Sequence, residues 1–167
     1  MSEVEPNRPR TLSIDIGGSG CKALVLDPRG NAITERVRIK TPDEPKPAVV
    51  LEILRKLATQ SGEFERISAG FPGVVVDGEI RTAVNLHPKW VGVNLASELE
   101  KLIGKPARVA NDADIQGLGV IEGKGVEMVI TLGTGLGSSL FVSGHLVPNL
   151  ELGHHPFRKD KSYEEYL

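Results

Sequence analysis

The chain has 167 residues, 40% apolar and 25% charged, with a formal net charge of -2. That is an ordinary globular composition, long enough for one real core or two very small ones, and its charge leaves no footprint for a nucleic-acid partner. The single cysteine, Cys21, excludes an intrachain disulfide and a cysteine-rich zinc cluster. The polar start lacks the apolar segment of a secretory signal, and no apolar run approaches the roughly 20 residues of a membrane span, so the expectation is a cytoplasmic protein with no membrane partner.

Residues 1–10 read as a flexible arm. Thr11–Ile16 is a short apolar strand, Gly17-Gly18-Ser19-Gly20 a glycine loop, and Cys21–Asp27 a second strand. Asp27-Pro28-Arg29-Gly30-Asn31 is a turn, and the alternation over Ala32–Lys40 predicts a third strand. Val50, Ile53, Leu54 and Leu57 recur at helical spacing between Pro47 and Gln60. Arg66–Gly70 reads as a buried strand, followed by Gly70-Phe71-Pro72-Gly73 and a hairpin turning at Asp77-Gly78. Asn94 is placed to cap a helix over Leu95–Ile103, stopped by Gly104 and Pro106. Ala107–Ala110 is a strand running into Asn111-Asp112-Ala113-Asp114, and a helix is expected from there to Glu122.

From about residue 126 the plan restarts. A strand over Glu127–Leu132, the loop Gly133-Thr134-Gly135-Leu136-Gly137, a strand over Ser138–Val142 and a turn at Ser143-Gly144-His145 repeat the order of residues 11–33. The expected division is residues 11–124 as a first lobe and 125–167 as the start of a second, with about 40 residues for the latter.

Glycine loops between strands let backbone N–H groups approach phosphate oxygens, although glycine turns also close ordinary hairpins. Two such loops in repeated settings point to a polyanion held from both sides. Neither loop carries the Gly-Lys-Ser/Thr ending of a P-loop, and the first leads into a strand, unlike a dinucleotide site. Asp15, at the lip of the first loop, is a candidate Mg²⁺ anchor or a turn cap. Lys22 is placed to reach phosphate or to stand in solvent. Asp112 suits a base that takes a hydroxyl proton while Asn111 holds neighbouring hydroxyls; helix capping is the competing reading. Glu151 and His154, separated by a glycine turn, are a pair suited to adjacent sugar hydroxyls. The loop carrying Asn85 and Trp90 offers an amide and an aromatic face, the latter equally suited to a core.

Asp15-Ile16-Gly17-Gly18-Ser19-Gly20, Gly70-Phe71-Pro72-Gly73, Asn111-Asp112-Ala113-Asp114, Thr131-Leu132-Gly133-Thr134-Gly135 and Glu151-Leu152-Gly153-His154 occur in the order seen in the ROK family. The chain resembles that family over residues 11–155 or so, and its wording is most similar to the polyphosphate glucokinase branch. The resemblance implies an α/β, actin-like (ribonuclease-H-like) ATPase fold, with a complete N-terminal lobe and a partial C-terminal one. It implies Asp112 as general base toward the 6-hydroxyl of glucose, with Asn85, Asn111, Glu151 and His154 binding the sugar. Gly17, Gly18, Ser19, Gly20, Lys22, Gly133, Thr134 and Gly135 would hold phosphate, Asp15 would hold Mg²⁺, and polyphosphate or ATP would be the donor. The zinc-binding cysteines of many members are missing, as in the polyphosphate-using branch, and no DNA-binding helices precede Thr11. The chain stops before the helices and strand that close the second lobe in relatives. A truncated, catalytically impaired sugar- and phosphate-binding protein is therefore the alternative, and a homodimer covering the second lobe's apolar edges is a further expectation.

Overall fold

The computed structural model describes residues 9–132, 135–163, 165 and 166. Most of the expected arm, residues 1–8, lies outside the described residues. Its last residue, Arg10, is anchored by a fork of bonds to Glu65, the shorter being 2.7 Å from Nη2 to Oε1.

Burial alternates strictly along β1 (Thr11–Ile16) and β2 (Cys21–Leu26), which form an antiparallel hairpin in register from Thr11↔Leu26 to Ile16↔Cys21. Leu12, Ile14, Ile16, Cys21, Ala23 and Val25 are buried on one face. β3 (Val37–Ile39) adds to the outside of β2. It is shorter than the alternation predicts, because the Thr34 hydroxyl accepts the Val25 N–H at 2.9 Å, in place of a ladder carbonyl. α1 (Pro47–Gln60) covers the apolar face with Val50, Leu54 and Leu57.

β4 (Arg66–Phe71) returns parallel to β1. A small hairpin, β5 (Val75–Val76) and β6 (Glu79–Ile80), turns at Asp77-Gly78 as expected. α2 (Leu95–Ile103) is capped by Asn94, whose Oδ1 accepts the Ser97 N–H at 2.9 Å, and ends on left-handed Gly104. β7 (Ala107–Asn111) then pairs parallel to β4, giving a five-stranded sheet in the order β3-β2-β1-β4-β7. Its register sets Arg38, Lys22, Asp15, Gly70 and Ala110 side by side in one row across the sheet. That row lies on the face opposite the buried core side chains of β1 and β2.

α3 (Asp112–Leu118) packs over this second face. A Cβ added at Gly70 would lie 3.2 Å from Asp112 Cα, so the glycine lets the start of α3 settle on β4. The helix stops before Glu122 because the Glu127 carboxylate captures the N–H groups of Glu122, Gly123 and Lys124 at 2.7, 2.9 and 2.9 Å. Those amides turn toward the carboxylate instead of continuing the helical ladder.

β8 (Val126–Leu132), β9 (Leu136–Val142) and β10 (His145–Val147) form an antiparallel sheet in the order β10-β9-β8. This repeats the β3-β2-β1 arrangement, as the restart in the sequence predicts. β9 lies directly on α3: a Cβ at Gly117 would collide with Ser139 Oγ and the Phe141 ring. α3 is thus held between the two sheets, and its first turn is where their residues meet.

Candidate active site

The N-terminus of α3 is built by Asn111, whose Oδ1 accepts the Asp114 N–H at 3.1 Å. The capping reading of this asparagine is therefore correct. Its side chain does more, since Nδ2 donates to Gly73 O at 3.2 Å and to Glu151 Oε1 at 2.5 Å. Both amide protons are engaged, so Asn111 fastens the Gly70-Phe71-Pro72-Gly73 segment to Glu151 across 40 residues of sequence.

Asp112 follows the cap. Its Oδ1 accepts the Ala113 N–H at 2.8 Å, leaving Oδ2 to receive a proton. Burial pushes its carboxyl above the usual aspartate range; the Ala113 N–H opposes this, and the charges of Asp15 and Asp114 add to it. Glu151 is also pushed up, first by burial, then opposed by His154 and reinforced by Asp112 and Asp114. Its backbone sits in the left-handed region at φ 45°, and Leu152 is tied to β9 through Ser138 Oγ at 3.1 Å. His154, in the following single 3-10 turn, brings Nε2 to 3.8 Å from Glu151 Oε2.

Asp114 is 2% exposed, and its Oδ1 is buried without a hydrogen-bond partner. Burial raises its affinity for a proton, opposed by the N–H of Asn149, which reaches Oδ2 at 3.4 Å. Asn149, at φ 59°, also makes a two-point bond with the backbone of Val75, both at 3.2 Å. Neither residue was assigned a role from sequence. An asparagine after Pro148 signals a left-handed turn, but its partner lies 74 residues away and leaves no local trace.

The glycine loop expected to hold phosphate is assembled at the other end of the row. Gly17 and Gly20 bond each other's backbone at 3.2 and 3.3 Å, which leaves the N–H groups of Gly18 and Ser19 at the tip. Thr41 fixes the loop from beneath by donating to Gly17 O at 2.6 Å. A Cβ at Gly18 would come to 3.2 Å from Asn85 O, so this glycine permits a close approach. The tip and Asn85 border a cleft of about 480 Å³, also lined by Lys40, Thr41 and His87. Asn85 thus faces this cleft, while Asn111, Asp112, Glu151 and His154 gather around α3. Lys22 Nζ donates to Asp15 Oδ2 at 2.9 Å, so the two candidate phosphate and metal residues hold each other. Gly133 and Thr134 lie outside the described residues; Gly135 is a half-buried bend just before β9. Trp90 is fully buried, edge-to-face on Phe71 at 5.3 Å, with Nε1 donating to Pro45 O at 2.9 Å. It is a core anchor. His87 and His145 bond within their own turns.

Among the described residues no group of three or more His, Cys, Asp or Glu side chains converges as a metal cage. Asp15 as a lone carboxylate beside a candidate phosphate loop fits Mg²⁺, which is bound through one or two carboxylates with phosphate and water completing its shell.

A profile described as the ROK family matches residues 11–162. The chain belongs to the ROK family. It is 35% identical over 151 residues to polyphosphate glucokinase of Mycobacterium tuberculosis, an alignment covering 86% of this chain and 57% of that protein. Glucokinase of Streptomyces coelicolor is 31% identical over 156 residues, with coverage of 86% and 49%. The crystal structure of inorganic polyphosphate/ATP-glucomannokinase from Arthrobacter sp. strain KM is similar with a TM-score of 0.86 at 33% identity, covering 95% of this chain and 67% of that one. A ROK family glucokinase from Streptomyces griseus, solved with glucose and AMPPNP, gives a TM-score of 0.84 at 25% identity, covering 94% and 56%. The fold is the α/β actin-like ATPase fold expected from the motifs. The chain spans about half to three-fifths of the length of these curated relatives. Among the described residues no helix is long and apolar enough to cross a membrane.

Proposed function

We propose that this chain is a sugar kinase that moves a phosphoryl group from polyphosphate or ATP to the 6-hydroxyl of glucose. One observation carries the reading. Asp112, half-buried and with a raised proton affinity, stands one residue from the Asn111–Glu151 bond that links the two sheets. A carboxylate poised to take a proton next to a hydroxyl-binding pair is what transfer to an alcohol needs. The names of the relatives supply the same substrates for those proteins.

In this reading Glu151 accepts from the sugar hydroxyls and His154 orients it. Asn111 keeps Glu151 in place rather than gripping the sugar with free amide protons. Asn85 approaches the sugar from the cleft wall beside Gly18. The 6-hydroxyl gives its proton to Asp112 Oδ2 as its oxygen bonds phosphorus. The bond from that phosphorus to the rest of the donor breaks, and the donor leaves one phosphate shorter with the electron pair. The N–H groups of Gly18 and Ser19, with Gly133–Gly135 of the second loop, receive phosphate oxygens. Asp15 would hold Mg²⁺, which supplies charge neutralisation at the donor, with Lys22 released to phosphate as the ion arrives. Residues 11–124 and 125–167 act as the two walls of the site, with α3 between them.

Glucose titrated calorimetrically into the chain tests the sugar half directly. Binding is expected, weakened about tenfold or more in Glu151→Gln, which loses a charged acceptor. Equal affinity in wild type and variant removes Glu151 from the sugar site.

A further inference from the structure

The segment that presents Glu151 is bent twice against the preference of its residues. Asn149 and Glu151 both hold left-handed backbone, at φ 59° and 45°, and neither is glycine. Such conformations persist only where the surroundings fix them from several sides. Here the fixing comes from the start of β5, 74 residues earlier. Asn111 Nδ2 ties Gly73 O to Glu151 Oε1. Two residues along on each side, the Asn149 carboxamide takes both the N–H and the C=O of Val75, each at 3.2 Å. Residues 73–75 and 149–151 therefore pair in opposite order, joined by side-chain amides where an antiparallel ladder would use backbone groups. The first turn of α3 closes the circuit: the Asp114 N–H donates to Asn111 Oδ1, and Asp114 Oδ2 accepts the Asn149 N–H.

We propose that Asn149 is a positioning residue for the sugar site: by clamping Val75 it holds Glu151 in the left-handed backbone that carries its carboxylate to Asn111. This rests on the reading of Glu151 as a sugar ligand. Without the clamp, residues 149–151 are free to return Glu151 to an ordinary backbone, and its Oε1 leaves Asn111. Glucose then meets a site that is formed only part of the time, and its apparent affinity falls by that fraction. The residue type suits the task. A carboxamide offers an acceptor and a donor side by side, matching the N–H and C=O of a single residue. Asparagine is also among the few non-glycine residues that take left-handed backbone readily. The clamp thus sets Glu151, which follows β10, against the same β4–β5 connection that Asn111 grips at Gly73.

Calorimetry with glucose and nuclear magnetic resonance of the Asn111 side-chain amide test the clamp in the 167-residue chain. Asn149→Gly keeps the left-handed turn and removes the clamp, whereas Asn149→Ala disturbs both. Each should weaken glucose binding about five- to tenfold, the loss expected when the formed site is populated about a tenth to a fifth of the time. In the Glu151→Gln background the same Asn149→Gly change should cost less than about twofold, because the two residues act through one contact. Leu57→Val, a core truncation in α1 on the face of the first sheet opposite α3, lowers stability and should leave glucose affinity within about twofold. In an active enzyme, Asn149→Gly should raise KM for glucose about five- to tenfold and leave kcat within about threefold. Unchanged glucose affinity in Asn149→Gly, an undiminished loss in the Glu151→Gln background, or an equal loss in Leu57→Val would each overturn the proposal. If wild type binds no glucose, the sugar reading fails and the amide resonances decide the clamp alone. The Asn111 Nδ2 protons should then exchange with solvent at least about tenfold faster in Asn149→Gly than in wild type, and an unchanged rate would overturn the clamp.

Discussion

Replacing Asp112 by asparagine separates the chemical role of this carboxylate from its structural one. The Ala113 N–H that now donates to Oδ1 at 2.8 Å finds the same acceptor in asparagine, so the local bond survives. The cap of α3 belongs to Asn111 and is untouched. What disappears is the proton acceptor, and with it a negative charge that Asp15, Asp114 and burial all disfavour. Removing a general base costs about 10²- to 10⁴-fold in rate, or roughly 3–5 kcal/mol of transition-state stabilisation. Glucose affinity, which the proposal assigns to Glu151 and its partners, should change less than about threefold in the same variant. The sign of the pH effect follows from the raised proton affinity. Folded Asp112 holds its proton more tightly than the unfolded chain does, so its contribution to stability is present at low pH and lost as pH rises past its elevated value. The asparagine variant should be at least as stable as wild type near neutrality, with that advantage shrinking on acidification as the native carboxyl takes up its proton. The wild-type rate should fall on acidification at a pH above the ordinary aspartate range. A coupled assay for glucose 6-phosphate, run beside calorimetry and thermal melts, reads all three. Turnover within about threefold of wild type would remove Asp112 from the chemistry.

Gly117→Ala should lower stability by about 1–3 kcal/mol, because its methyl collides with Ser139 Oγ and the Phe141 ring. A thermal melt unchanged from wild type would mean that β9 does not lie on α3 this closely. Asn149→Ala loses two bonds to Val75 and places alanine at φ 59°, a combined cost of about 2–3 kcal/mol. Asn149→Gly relieves the backbone part only, so it should recover some of that loss in a thermal melt. Asp114→Asn keeps an acceptor for the Asn149 N–H and removes a buried charge, so it should be at least as stable as wild type above neutral pH. Its advantage should shrink on acidification, as the native carboxyl takes up its proton; a constant difference across pH would contradict the burial argument.

The strands of both hairpins, α1, α2 and the cap at Asn94 were legible because each rests on local signals: alternation, helical spacing, glycine and proline stops. The third strand and the end of α3 were overestimated for one reason. In both places a side-chain oxygen, Thr34 Oγ1 or the Glu127 carboxylate, takes backbone N–H groups that regular structure would have used. The gathering of Asn111, Asp112, Glu151 and His154 was expected from the motif order, but the two engaged amide protons of Asn111 were not. They depend on Gly73 and Glu151, which are 38 and 40 residues away. Lys22 and Arg38 looked scattered for the same reason, since strand pairing and not sequence neighbourhood makes them adjacent.

The most direct test of the central claim is phosphorylation of glucose by the 167-residue chain with Mg²⁺, polyphosphate and ATP being supplied in separate reactions. Product can be identified by the phosphorus resonance of glucose 6-phosphate. The account predicts that product from at least one of the two donors, and none above background from Asp112→Asn. No glucose 6-phosphate from either donor, in protein that is folded and binds glucose, would contradict it.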